Sequence, residues 1–318
     1  MNNKEKIIMT KIRNLITGGC GFLGSHLAKK LLKKGEEVIC LDNYLTGDKK
    51  NIEECMLNSN FEFIRHDVTE PIEIEIDKIW HLACPASPIH YQLNPIKTTK
   101  TSFIGTYNML GLAKRVGAKI LLASTSEVYG NPEEHPQSEN YKGSVNTTGI
   151  RSCYEEGKRV AETLCADYRR IHSVDIRIMR IFNTYGPNMR SDDGRVISNF
   201  IVQALKDKKL TIYGDGSQTR SFCYVDDLIK GMILLMKSNY QNPMNIGNPN
   251  EYSIKKIACL IREIINPSLD FEYRDLPQDD PKQRNPNIYL AKKTLGWEPK
   301  IELKQGLRKT IDWFKSNL

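Results

Sequence analysis

Tyr154 and Lys158 stand one helical turn apart in "SCYEEGKRVAETLCADY", so their side chains are neighbours. A phenol titrates near about pH 10 and is a poor base at neutrality until a nearby cation favours the phenolate. A lysine one turn away supplies that cation, and its ammonium can also hold a ribose hydroxyl. Upstream, "LLASTSEVYG" carries three apolar residues and Ser124 into Thr125, Ser126 and the carboxylate of Glu127. Together these residues suit hydride transfer. Tyr154 would take the proton of a substrate alcohol as its carbon gives up hydride, and Thr125 would hydrogen-bond the same oxygen. A Tyr–Lys pair alone more often decorates a helix surface, so the assignment needs a cofactor loop.

"TGGCGFLGSH" supplies one. Gly18, Gly21 and Gly24 are spaced by three, after a strand and opening a helix. The first permits a tight turn, the second a close approach of backbone to a pyrophosphate, and the third close packing of helix on strand. Phosphates would sit at the helix N-terminus, where unpaired N–H groups and the dipole favour negative charge. The second strand ends in Asp42, at the distance expected for the acid that binds the adenosine ribose. A carboxylate there repels a 2′-phosphate, which favours NAD over NADP; Lys49 and Lys50 pull weakly the other way. Asp67, closing "RHDV", is placed either to reach the adenine or to stand as a surface acid.

Elements that position these groups follow from periodicity. Short apolar runs at 12–17, 37–42, 61–66, 78–83, 119–124 and 175–182 alternate with helical patterns. In 23–34, Leu23, Leu27 and Leu31 share a face, with Lys29, Lys30, Lys33 and Lys34 outward; in 103–116, Phe103, Tyr107, Leu110 and Ala113 are expected to do the same. The fold class is therefore α/β, a Rossmann-type doubly wound parallel sheet, with ligands at the carboxyl ends of its strands. After Phe182 the pattern changes. "NTYGPNMRSDDGR" reads as loop, "LTIYGDGSQTRSF" as strand, turn and strand, "VDDLIKGMILLMK" as a helix with Asp226 as cap, and "SIKKIACLIREII" as an amphipathic helix capped by Ser253. We expect a dinucleotide domain from 1–182 plus about 222–245, and a smaller, interleaved C-terminal substrate domain from 183–221 and 246–318.

Composition narrows the classes. A chain of 318 residues, 40% of them hydrophobic, can bury a sizeable core. No apolar run approaches the roughly 18 residues of a membrane span, and the lysine-rich start "MNNKEKIIMTKIRN" has no signal-peptide core. The eight cysteines are scattered, without metal-site spacing, and read as reduced thiols rather than metal ligands. The formal charge of +8 is dispersed rather than gathered into a nucleic-acid stripe. It fits either solvated helix backs or an overall field that draws in a polyanionic small substrate.

With these residues placed, "TGGCGFLGSH", "STSEVYG", "YEEGK" and "RIFNTYGPN" resemble the extended short-chain dehydrogenase/reductase superfamily of nucleotide-sugar enzymes. "HLACPASPIHY", "IFNTYGPNMRSDDGRVISNFI", "YGDGSQTRSF" and "LGWEPK" resemble, more narrowly, its UDP-glucuronate decarboxylases, from about residue 12 to the C-terminus. The resemblance implies NAD as cofactor, with Phe22, Leu23, Asn43, Thr46, Gly47, Val68, Leu82 and Thr101 around it beside the glycines, Asp42, Asp67, Tyr154 and Lys158. It also implies C4 oxidation of UDP-glucuronate, loss of carbon dioxide from the resulting β-keto acid, and return of hydride to give UDP-xylose. On this reading Glu127 positions the sugar and relays a proton, and Ser126 contacts the sugar. Arg284 meets the sugar carboxylate, Arg220 the pyrophosphate, Asn183 the phosphate region and Tyr213 the uracil. Arg195 and Arg190 are weaker candidates. Tyr91 either lines the sugar pocket or belongs to the core; His81 is expected in the core. Ser126 stands where the related 4,6-dehydratases carry an acid, which disfavours dehydration. A 4-epimerase or dehydratase, or a non-catalytic NAD-binding regulator, are the competing readings. A homodimer through helices 103–116 and 154–172, a cytoplasmic location, and no nucleic-acid or membrane partner complete the expectation.

Overall fold

The computed structural model describes residues 11–276 and 283–318, so the first ten residues of the amino-terminal segment read above for a signal lie outside the described residues. Six expected strands form: β1 (Arg13–Thr17), β2 (Glu37–Asp42), β3 (Phe61–Arg65), β4 (Lys78–His81), β5 (Lys119–Thr125) and β6 (Ile176–Ile181). A further strand, Pro243–Ile246, joins β6 at the sheet edge. Patterning does not announce it, and its leading proline is tolerated because it opens an edge strand. All seven run parallel, in the order Pro243–Ile246, β6, β5, β4, β1, β2, β3. The order reverses between β1 and β4, and that switch opens a crevice at the strands' carboxyl ends.

The apolar strands are explained by burial on both faces. Successive side chains of a strand point to opposite faces, so Leu15, Ile39, Ile120 and Leu122 pack with Met109, Leu110, Ala161 and Cys165 on one side. Ile16, Cys40, Trp80 and Leu121 pack on the other with Leu27, Leu228 and Met232, in a core that continues to Trp297, Leu307 and Phe314.

Several expectations need correction. Leu110 and Ala113 are buried, but Phe103 and Tyr107 are 43% and 54% exposed. The π-helical turn Thr101–Gly105 rotates Phe103 out of phase with the helix Thr106–Val116 that follows, and Tyr107 lies on the flank of the buried stripe. The helix Val225–Lys237 has Tyr224 as its flanking residue, and Asp226 sits inside the first turn rather than capping it. Ser253 does cap the helix Ile254–Ile265, accepting the Lys256 N–H at 3.2 Å. The strands Leu210–Tyr213 and Thr219–Ser221 form but do not pair with each other. The first pairs with Phe271–Arg274, and the second lies between Glu251–Ser253 and Gln283–Arg284. That pairing sets Arg220 and Arg284 side by side in register.

Candidate active site

A cleft of about 620 Å³ runs along the carboxyl ends of the sheet. Every site residue expected from the sequence lines it except Gly47, which packs behind the Asp42 carboxylate. The dinucleotide loop is held by its own geometry. A Cβ on Gly24 would lie 2.2 Å from the Gly18 carbonyl oxygen, so no larger residue fits that crossing. Gly21 begins the helix Phe22–Leu32 without a side-chain cap, leaving the helix N-terminus bare toward the cleft. Asp42 accepts the N–H groups of Cys20 (3.0 Å) and Tyr44 (2.8 Å), which ties the loop to the end of β2. Burial raises its pKa, and those N–H bonds oppose the shift.

Asp67 is not a loose surface acid. It accepts Lys97 Nζ at 2.6 Å and Asn43 Nδ2 at 2.9 Å. Burial pushes its carboxyl up, but Lys97 and Thr69 outweigh that and hold it well below the usual carboxylate range. Lys97 went unmarked at the sequence level because a lysine in "NPIKTTK" looks like any solvated one. His81 is a core residue as expected. It bonds Thr17 and Thr106 (2.8 and 3.1 Å), and burial brings its pKa down to about 3, so it stays neutral.

The Tyr–Lys helix is Ser152–His172, and it buries both residues. Lys158 donates to the Ala123 carbonyl at 2.8 Å, and its ammonium is 6.0 Å from the Tyr154 ring centre. Tyr154 bonds Thr125 and stacks flat on Tyr91, with ring centres 5.0 Å apart. Burial drives the Tyr154 phenol upward, the neighbouring Cys84 adds to the rise, and the Thr125 bond opposes it. A phenolate favoured by Lys158 alone is therefore not what the folded chain presents: desolvation dominates. Tyr91 lines the cleft while being buried, with its hydroxyl unpartnered.

Thr125 ends β5 and accepts the Glu127 N–H at 3.2 Å, opening the 3₁₀ turn Ser126–Tyr129. Gly130 closes that turn at φ +61°, with no room for a Cβ against Ser144, and its carbonyl accepts Arg284 Nη2 at 2.9 Å. Arg284 is buried; its Nη1 meets Ser126 Oγ at 3.3 Å and Glu127 Oε1 at 2.9 Å, and its Nε has no partner. Arg151, which the sequence reading missed, holds the other oxygen of Glu127 at 2.5 Å. Its signal was a cation just ahead of a helix start, where the dipole disfavours one. Burial raises the Glu127 pKa, yet Arg284, Arg151 and Arg220 bring it below the ordinary value, so this carboxyl is ionised.

The remaining candidates spread along the cleft. Arg195 pairs with Asp193 (2.7 Å) and lies over Phe22, beside the glycine loop. Arg190 pairs with Asp192 and reaches toward the Thr46 carbonyl. Tyr213 is half-exposed at its strand end, and Asn183 follows β6. Among the described residues no group of acids, histidines or cysteines could hold a metal ion, and the eight cysteines are free.

Comparison with known proteins bears directly on this arrangement. The family model described as GDP-mannose 4,6 dehydratase matches residues 15–310. The chain belongs to that family. Within it the chain groups with the UDP-glucuronic acid decarboxylases. UDP-glucuronic acid decarboxylase 3 of Arabidopsis thaliana is 58% identical over 304 residues, 95% of this chain and 89% of the relative. UDP-glucuronic acid decarboxylase 1 of Xenopus tropicalis is 56% identical over 306 residues, 96% of this chain and 73% of the relative. Among solved structures, UDP-glucuronic acid 4-epimerase of Bacillus cereus, in complex with UDP-glucuronic acid and NAD, superposes with a TM-score of 0.87. It shares 30% identity and covers 96% of this chain and 100% of its own. No helix among the described residues is long and apolar enough to cross a membrane.

Proposed function

We propose that this chain converts UDP-glucuronate to UDP-xylose and carbon dioxide. The observation that carries the reading is the Ser126–Glu127–Arg284 cluster set against the Thr125–Tyr154 pair. A 4-epimerase needs only the second half of that arrangement.

The residues fit NAD. The helix at Gly21 is uncapped, Gly24 admits no side chain, and Asp42 and Asp67 offer carboxylates to adenosine hydroxyls and amines. When bound, NAD supplies the acceptor for hydride from C4 of the sugar and gives it back at the end of the cycle. Lys158 has three donors and spends one on Ala123, leaving two for a ribose. Tyr154 takes the C4 hydroxyl proton. As carbon dioxide leaves the 4-keto acid, charge builds on the C4 oxygen, and the Tyr154 and Thr125 hydroxyls stabilise it there. Arg284, with an unpartnered Nε, meets the sugar carboxylate. Ser126 touches the sugar, and ionised Glu127 positions it and relays the proton that returns to C5. Arg220 and Arg195 face the pyrophosphate, with Asn183 near it and Tyr213 beside the uracil.

On this reading residues 1–182 and about 222–245 carry the cofactor, and the rest closes over the substrate. The molecule is a homodimer, and it works in the cytosol, where free thiols stay reduced. The test is incubation of purified protein with UDP-glucuronate and no added reductant, followed by mass and proton NMR. Loss of carbon dioxide with UDP-xylose as product is expected. An unchanged mass with inverted C4 would make the chain an epimerase.

A further inference from the structure

Arg151 precedes the first turn of the Tyr154 helix, where its positive charge opposes the helix dipole and makes no side-chain cap. Within the helix, Glu155 one turn on favours an arginine there. The arginine side chain, 11% exposed, folds back across the cleft wall. The Nη2 meets Glu127 Oε2 at 2.5 Å and the Nε meets Glu155 Oε1 at 3.0 Å. Its backbone carbonyl accepts the Tyr154 N–H at 3.0 Å. One residue therefore fixes both the carboxylate of the 3₁₀ turn and the start of the helix that carries the phenol.

Two guanidiniums share Glu127, one oxygen each: Arg284 from the short strand Gln283–Arg284, and Arg151 from the helix start. A substrate acid entering this cleft changes that balance. Arg284 would be drawn to the incoming carboxylate, loosening its hold on Glu127. The second negative charge would also press Glu127 toward protonation, as like charges do. Among the described residues, the groups facing Glu127 are Arg284 and Arg220 from paired strands, Arg151, Glu155 and Tyr154 at and in the helix, and Tyr91 from Pro88–Leu93. Of the cations, Arg284 and Arg220 are the ones the substrate's own acid groups would engage.

We propose that Arg151 is a positioning residue for the decarboxylation: it keeps Glu127 ionised and aligned with Tyr154 while Arg284 attends to the carboxylate of the substrate. This rests on the function proposed above. Glu155 supports the same arrangement. Burial and the Glu127 charge push its carboxyl up, so an extra proton in this cluster goes to Glu155 more readily than to Glu127.

The test compares the NAD-loaded wild type with Arg151→Gln and Arg151→Lys, measuring kcat and KM for UDP-glucuronate across pH. For Arg151→Gln, kcat falls by about tenfold or more while KM changes little, the pattern of an interaction that matters after binding. The acid limb of the kcat profile moves to higher pH, because Glu127 has lost a cation that kept it ionised. Arg151→Lys restores most of the rate and moves the limb back. An acid limb that coincides with wild type in both variants would overturn the proposal. So would a loss confined to KM or to thermal stability. If Arg151→Gln does not fold, Arg151→Met takes its place as the neutral variant, and its acid limb decides by the same criterion. Carbon dioxide release by the wild type tests the function separately. The same pH profile can be read from C4 oxidation in a single turnover, through the absorbance of the reduced nicotinamide, so a chain that oxidises without decarboxylating still reports on Arg151.

Discussion

At the scale of single residues, burial and pairing decide the charges. Tyr154 is buried, and desolvation keeps its phenol protonated in the resting fold. Its work as a base therefore depends on what enters the cleft, and replacing it should remove the chemistry while sparing the loop. Tyr154→Phe is expected to lower kcat by about 10² to 10⁴, the range for a lost general acid–base, with NAD still co-purifying. Retained turnover near the wild-type rate would exclude Tyr154 as the base. Asp67 gives a pH prediction with a definite sign. Its folded pKa is depressed by Lys97 and Thr69, so its stabilisation is present above the unfolded carboxylate pKa and is lost as pH falls through the folded value. Asp67→Asn should lower Tm at neutral pH, and the gap from wild type should shrink on acidification. A constant gap would mean the loss is one of packing. Much of this site was legible beforehand, because Gly18, Gly21 and Gly24, Asp42, and the Tyr154–Lys158 spacing each encode a local geometry. Arg151 and Lys97 were not, because their meaning lies in carboxylates 24 and 30 residues away in the chain.

At the scale of elements, the two helices of the second half separate capping from dipole effects. Ser253 makes a hydrogen bond to the Lys256 N–H, whereas Asp226 contributes only a negative charge within a first turn. Ser253→Ala should cost about 1 kcal/mol, as the loss of an N-cap typically does. Asp226→Asn should cost less, about 0.3–1 kcal/mol at low ionic strength. Urea titrations of both variants check the order, and salt should diminish the second effect alone. Helix periods and strand runs are visible in one sequence because they are local. Pairing is not. "LTIYGDGSQTRSF" announces two strands with a turn, but the partners of Leu210–Tyr213 and Thr219–Ser221 lie tens of residues downstream, and only their packing brings Arg220 beside Arg284.

At the scale of the whole molecule, the outward turn of Phe103 and Tyr107 has a consequence for assembly. Tyr107 meets Tyr168 edge to face, at 6.3 Å between ring centres, so the helices Thr106–Val116 and Ser152–His172 present aromatic surface on a shared outer side. Large aromatic side chains left in water cost free energy that a partner can recover, since burial of apolar area stabilises by roughly 25 cal/mol per Å². The inner side of the second helix carries Tyr154 and Lys158 into the cleft. A dimer closed over the outer side would therefore brace the catalytic helix from behind. Phe103→Glu combined with Tyr107→Glu places two like charges on this surface, and two more on the partner, without touching the buried stripe of Met109, Leu110 and Ala113. The double variant should run as a monomer in light scattering at concentrations where the wild type is a dimer, and it should lose kcat in proportion. A wild type that is monomeric at micromolar concentration, or a double variant that stays dimeric with full activity, would remove these two helices from the assembly.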